Sequence, residues 1–172
     1  METWDAIRAR RNVREYADRP VPRADLERIL EAGRRAPSAS NWQPWNFVVV
    51  TEREQLVELA KAWPTGGTHI ARSAATIVIV AATPEDGRKG ELLQYDVGQA
   101  TANMMVTAAD LGIGSGHSAV ADQEQARRVL GFPPGHFAAY MIGLGYPVDR
   151  PLRPIETPAR RSFDEVVHWD RW

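Results

Sequence analysis

Between Asp96 and Asp110 the chain reads VGQATANMMVTAA (residues 97–109), thirteen residues without a charge. This is too short to span the hydrocarbon core of a bilayer, about 30 Å thick, so it predicts a helix buried in protein rather than in lipid. The helix is expected over Gly90–Leu111, apolar almost all round from Ala100 to Leu111 and stopped by Gly112, which puts it at the centre of the core. Upstream, the pattern predicts a short helix over Thr3–Arg10, with Thr3 as its cap and Trp4 and Ile7 on one face. A second helix begins around Pro22 and carries the stripe Leu26, Ile29 and Leu30 up to the breaker Pro37, and a third covers about Arg53–Trp63. The runs Phe47–Thr51 and Ala75–Ala82 read as buried strands. Downstream come a glycine-interrupted segment (Ile113–Val120), a helix over about Asp122–Leu130 and an apolar strand over His136–Gly145. That order predicts two helix-bounded layers around a small sheet, in one domain spanning residues 1–172. The segment Pro147–Arg161 holds Pro147, Pro151, Pro154 and Pro158, which excludes a helix and predicts an extended arm over a surface, its own or a partner's.

Composition narrows the function. The 172 residues are 44% hydrophobic and 25% charged, as in an ordinary globular protein. With no cysteine there is no disulfide framework, thiolate metal site or thiol nucleophile, so any redox chemistry belongs to a bound cofactor. A net charge of −1 gives no global attraction to nucleic acid or to anionic membrane. METWDAIRAR at the N-terminus has no signal-peptide core, which predicts a cytoplasmic protein.

Three constellations could carry chemistry. Arg8, Arg10, Arg11 and Arg14 crowd seven residues around Asn12; if the helical turn persists, Arg10 and Arg14 share a face and form a fork suited to phosphate. The plainer alternatives are a solvated basic face or a helix end matched to its dipole. APSASNWQPW (residues 36–45) sets hydroxyl, amide and indole side chains in a proline-fixed loop, which is either a binding loop or an ordinary helix-to-strand turn. GIGSGHSA (residues 112–119) is GxGxG after a helix, not GxGxxG after a strand, which excludes a dinucleotide fold but leaves backbone open to a flat ligand. His69, His117, His136 and His168 show no metal-ligand spacing and read as surface or loop residues. Trp42 and Trp45 read as core or interface packing.

Taken together, ARRNVREY (9–16), APSASNWQPWNFVVV (36–50), LGIGSG (111–116) and GLGYP…RRSFDEVVHW (143–169) resemble the FMN-dependent nitroreductase family in order and spacing, from Ile7 to Trp169. The resemblance implies an α+β fold with a mainly antiparallel sheet flanked by helices. It implies a homodimer that exchanges a C-terminal arm (about 147–172) and shares two FMN sites. By the same resemblance Arg10, Arg11 and Asn12 meet the phosphate and ribityl chain, while Arg14 faces the N1–O2 edge of the flavin. Pro37, Ser38, Ser40 and Asn41 approach from the other subunit, and His117, Ser118 and Ala119 face the ring near N5. Arg160, or Arg161 beside it, completes the phosphate grip; where many members carry an Asn before the second strand, this chain has Thr68 and His69. The implied activity is ping-pong hydride transfer from NAD(P)H, through flavin N5, to nitroaromatic, quinone or similar small electrophilic acceptors, with Arg14 as the electrostatic catalytic residue and no metal. A dehydrogenase, reductive dehalogenase, flavin-fragmenting or deazaflavin-using enzyme of the same fold, or a non-catalytic flavin carrier, stays open at this level.

Overall fold

Ala75–Ala82 (β2) is buried from Ala75 to Ala81 and is the strand about which the sheet is built, in a computed structural model that describes residues 1–172. It pairs antiparallel with Asn46–Val50 (β1) on one side and with His136–Gly145 (β4) on the other. Gly114–Ser118 (β3) pairs antiparallel with β4, giving the order β1-β2-β4-β3. Because side chains alternate across a strand, Ile77, Ile79, Ile142 and Leu144 face one layer while Val78, Val80 and Met141 face the other. Helices cover both faces, so neither face of β2 needs polar residues and the strand reads as one apolar run.

The first layer is Arg23–Arg34 (α2) and the long helix Gly87–Asp110 (α5), whose Val97, Ala100, Met104 and Ala108 meet Leu26 and Ile29 over the sheet. The second is Arg53–Ala60 (α3), Thr68–Arg72 (α4) and Gln123–Leu130 (α6), which bury Leu56, Leu59, Ile70 and Ala126. Thr3–Ala9 (α1) packs on α5 through Ala9, in a small cluster with Val13, Ala109 and Leu152. A four-residue helix, Phe163–Val166 (α7), lies in the tail beyond the proline-rich segment, which is not helical. No helix is long and apolar enough to cross a membrane.

Several local expectations need correction. Thr3 is inside α1 and makes no capping bond, the N-cap position being Glu2. α5 starts at Gly87 rather than Gly90, because the Asp86 carboxylate accepts from the Lys89 N–H and fixes the first turn there. α5 is not buried all round: Gly98, Ala102 and Asn103 are exposed, since only one stripe of a helix can face a sheet. β1 is an edge strand whose Val49 is exposed, so its β-branched run reports strand propensity more than burial. Trp45 is buried and stacks on Phe47 as core packing, whereas Trp42 is exposed.

Candidate functional site

α1 ends at Ala9, and Arg10 has extended backbone (φ −63°, ψ 122°), so Arg10 and Arg14 do not share a helix face. From Arg10 the chain runs along the free edge of β3, where Asn12 bridges Ser115 and the Val13 N–H donates to the Ser115 carbonyl at 2.9 Å. Missing side chains permit this approach. A Cβ on Gly114 would stand 2.7 Å from the Val13 side chain, and one on Gly116 would stand 2.5 Å from the Val13 carbonyl oxygen. These glycines pair across the sheet with Gly145 and Gly143, over which Tyr16 lies; its hydroxyl donates to the Val13 carbonyl at 2.7 Å. Burial pushes the Tyr16 hydroxyl pKa up, against the opposing pull of Arg14. The Cβ side of Gly114 and Gly116 is therefore occupied by the chain's own arginine segment and by His69, whereas a Cβ on Gly112 meets nothing within 4 Å.

His69 is a second correction, being a buried residue of α4 rather than a surface one. Its Nδ1 lies 3.0 Å from the Gly66 carbonyl oxygen, and its Nε2 lies 3.0 Å from Ser118 Oγ and 3.3 Å from the Gly116 carbonyl oxygen. Burial lowers its pKa, outweighing the two backbone carbonyls that favour the charged ring, and electrostatic repulsion from Arg14 and His117 lowers it further. In the neutral state the bonding pattern is Nδ1–H donating to Gly66 and Nε2 accepting from the Ser118 hydroxyl.

His117, between Gly116 and Ser118, points to the opposite face and is exposed. There it joins Arg10 in a cleft of about 490 Å³ whose wall is the exposed side of α5, including Gln94, Gly98 and Thr101, with Tyr140 of β4. No carboxylate lines it, so its charge is positive. Two features distinguish its lining. Gly98 faces open space, with nothing within 4 Å of a Cβ built there, although glycine costs a helix interior about 1 kcal/mol. Thr101 Oγ1 is buried without a hydrogen-bond partner, a condition that a bound polar group relieves. A larger depression of about 800 Å³ beside α3 and α6 is lined by Glu52, Glu54, Glu58, Arg53 and Arg128, mixed charges that include none of the expected site residues. No group of three His, Asp or Glu side chains is placed to hold a metal ion.

The remaining expected residues do not converge on this cleft within one chain. Arg11 is turned to the tail, donating to Asp149 at 2.7 Å and to the Arg150 carbonyl at 2.8 Å, and it holds the Asp149 carboxyl below its ordinary pKa. Arg14 is exposed, and Ala119 lies exposed just beyond β3. The loop of Pro37, Ser38, Ser40 and Asn41 is strapped to the buried Asp96 of α5, whose carboxylate oxygens accept from the Ala39 N–H at 3.1 and 3.2 Å. Ser40, Asn41 and Gln43 all adopt left-handed backbone (φ 50°, 56° and 52°), strain that persists only where the surroundings enforce it. The Arg160 side chain donates only to the neighbouring Ala159 carbonyl, and that of Arg161 to the Glu165 carbonyl. Leu152 docks beside Ala9 and Val13, and Glu156 pairs with Arg8 at 2.7 Å; from Glu156 to the end every residue except Val167 is exposed. Gly98, Thr101, Tyr140, Asp96 and the buried role of His69 escaped sequence reasoning, though a glycine inside the longest helix was a usable signal.

A family model described as the nitroreductase family matches residues 7–65 and 60–146. The chain belongs to the nitroreductase family. A relative from Archaeoglobus fulgidus, by name an NADH dehydrogenase/NAD(P)H nitroreductase, is 34% identical over 99% of both chains. Among solved structures, an NADH dehydrogenase/NAD(P)H nitroreductase by name from Parabacteroides distasonis superposes with a TM-score of 0.83 at 28% identity, covering 100% of this chain and 99% of that one. An FMN-dependent nitroreductase from Clostridium difficile gives 0.81 at 25% identity, covering 97% and 98%. The four-stranded antiparallel sheet between two helical layers is thus the nitroreductase-like fold, as the α+β expectation had it.

Proposed function

We propose that this protein is an FMN-dependent oxidoreductase that takes hydride from NAD(P)H and passes it to a nitroaromatic, a quinone or a similar small electrophilic acceptor. The observation that carries the reading is the carboxylate-free cleft in which Arg10 and His117 meet beside the open Gly98 and the unpartnered Thr101 hydroxyl. FMN, when bound, supplies the hydride-accepting and hydride-donating centre; the protein supplies grip, orientation and field. Arg10, which makes no ion pair within the chain, holds the phosphate by charge-assisted hydrogen bonds, with His117 in the same cleft and Asn12 two residues along the chain. Arg14, exposed and close enough to act on His69 and Tyr16, stabilises negative charge as the cofactor is reduced.

The site is completed by a second copy of the chain. The apolar residues Trp4, Ile7, Phe163, Val166, Trp169 and Trp172 are exposed in the single chain, and their burial drives association. The arm beyond Glu156 crosses to the partner and brings Arg160 to the phosphate, while the strained loop Pro37–Asn41 reaches the partner's flavin. Arg11 serves as the tether that launches the arm, through Asp149. The test is spectroscopic: purified protein reconstituted with FMN shows oxidised-flavin absorption, bleaches with NADH or NADPH and recovers with a quinone or nitroarene. Flavin bound but not bleached by either nicotinamide leaves a carrier; failure to take up FMN refutes the reading.

A further inference from the structure

β3 is a weak element to hang a functional residue on. It is a short edge strand, Gly-Ser-Gly-His-Ser, whose two glycines raise the entropy lost on ordering and leave little side chain to pack. One edge pairs with β4, and the other carries a single bridge to Asn12. His117 nevertheless has to sit in the cleft at a defined height.

We propose that His69 is the residue that positions His117: from behind β3 its imidazole packs against Gly116 and accepts from Ser118, and so fixes the residue between them in the cleft shared with Arg10. This inference rests on the flavin-binding reading of that cleft. The fit is close on every side. The ring lies across the cross-strand pair Gly116 and Gly143, where a Cβ would meet its Cδ2 at 3.2 and 3.4 Å, so both strands are glycine at the register position that must admit it. Nε2 accepts from the Ser118 hydroxyl at 3.0 Å, Nδ1–H anchors the ring to the Gly66 carbonyl at 3.0 Å, and both His69 and Ser118 are buried. Since successive strand residues alternate faces, holding Gly116 and Ser118 from one side sets the direction of His117 on the other. Of the charged or titratable neighbours, Arg14 and Tyr16 of the N-terminal segment and His117 of β3, Arg14 and His117 oppose a charged ring, which keeps the Nε2 lone pair free to accept from Ser118.

The experiment is a double-mutant cycle on FMN affinity, using His69→Leu, Ser118→Ala and His117→Ala singly and with His117→Ala combined with each of the others. Each single variant is expected to lose about tenfold in affinity, the net worth of one hydrogen bond or one misplaced partner. If His69 acts through His117, each double variant loses no more than His117→Ala alone. Losses that multiply to about a hundredfold, or a His117→Ala variant that binds FMN like the parent, overturn the proposal. Should His69→Leu fail to fold, the Ser118 arm carries the same test. Imidazole nitrogen NMR on the flavin-free parent gives an independent readout: the neutral Nδ1–H tautomer is expected, and an Nε2–H tautomer overturns the clamp. A parent that takes up no FMN overturns the cofactor reading itself, which keeps the two failures apart.

Discussion

Gly98 offers a prediction in which stability and binding move in opposite directions. It is exposed in the middle of the 24-residue α5, and a Cβ built on it meets nothing within 4 Å. Replacing an exposed helical glycine by alanine removes a penalty of about 1 kcal/mol. With roughly 2.1 cal/mol/K of unfolding entropy per residue over 172 residues, about 0.36 kcal/mol/K in all, that gain raises Tm by about 3 °C. Leucine is nearly as good a helix former, so Gly98→Leu should raise the melting temperature of the flavin-free protein almost as far. Its side chain, however, projects into the cleft that Arg10 and His117 line. Calorimetry on flavin-free protein measures the first effect, and quenching of FMN fluorescence during titration measures the second. The expected result is a more stable protein whose FMN affinity falls at least tenfold, about 1.4 kcal/mol, with Gly98→Ala stabilised and binding close to the parent. Because stability rises, the loss cannot come from misfolding. A stabilised Gly98→Leu protein with unchanged FMN affinity would falsify the placement of the cofactor in this cleft.

The two free arginines should separate by role. Arg10→Ala is expected to weaken FMN binding by about 1.5–3 kcal/mol, read as a lost thermal shift on adding FMN. Arg14→Gln should keep most of the flavin, lower its two-electron potential and slow reduction by NAD(P)H by on the order of ten- to a thousandfold; a potential equal to the parent's removes Arg14 from the mechanism. Deleting residues 158–172, exposed but for Val167, should leave the melting temperature of the flavin-free chain nearly unchanged while reducing both the dimer fraction in analytical ultracentrifugation and the bound flavin. A truncated protein that stays dimeric and yellow refutes the arm exchange. Gly116→Ala places a Cβ 2.5 Å from the Val13 carbonyl oxygen and should destabilise by about 1–3 kcal/mol in urea unfolding; a neutral result means the N-terminal segment does not lie on β3 as described.

Periodicity and turn chemistry decided most of the secondary structure. Ala75–Ala82 and His136–Gly145 are strands with the bounds their apolar runs indicate, and Asp122 and Gly131 cap α6 at its two ends. These features are legible because each depends on neighbours a few residues away. α5 shows where that reasoning stops. An uncharged run predicts burial all round, but whether Gly98 and Ala102 meet core or cleft depends on which helices share the sheet face, and no local pattern encodes that.

The site follows the same division. Residue types alone established that any redox chemistry must come from a cofactor, that arginines crowd the end of the first helix, and that glycines interrupt the segment after the longest helix. Only the tertiary structure decided which of these meet. It set Arg10 beside His117 across more than a hundred residues of chain, turned Arg11 to the tail, buried His69 behind β3 and filled the glycine positions with Val13 and Tyr16. The physical reason is that a side chain's direction in a sheet is fixed by strand register and by what packs on the opposite face, and both are properties of distant segments brought together by burial.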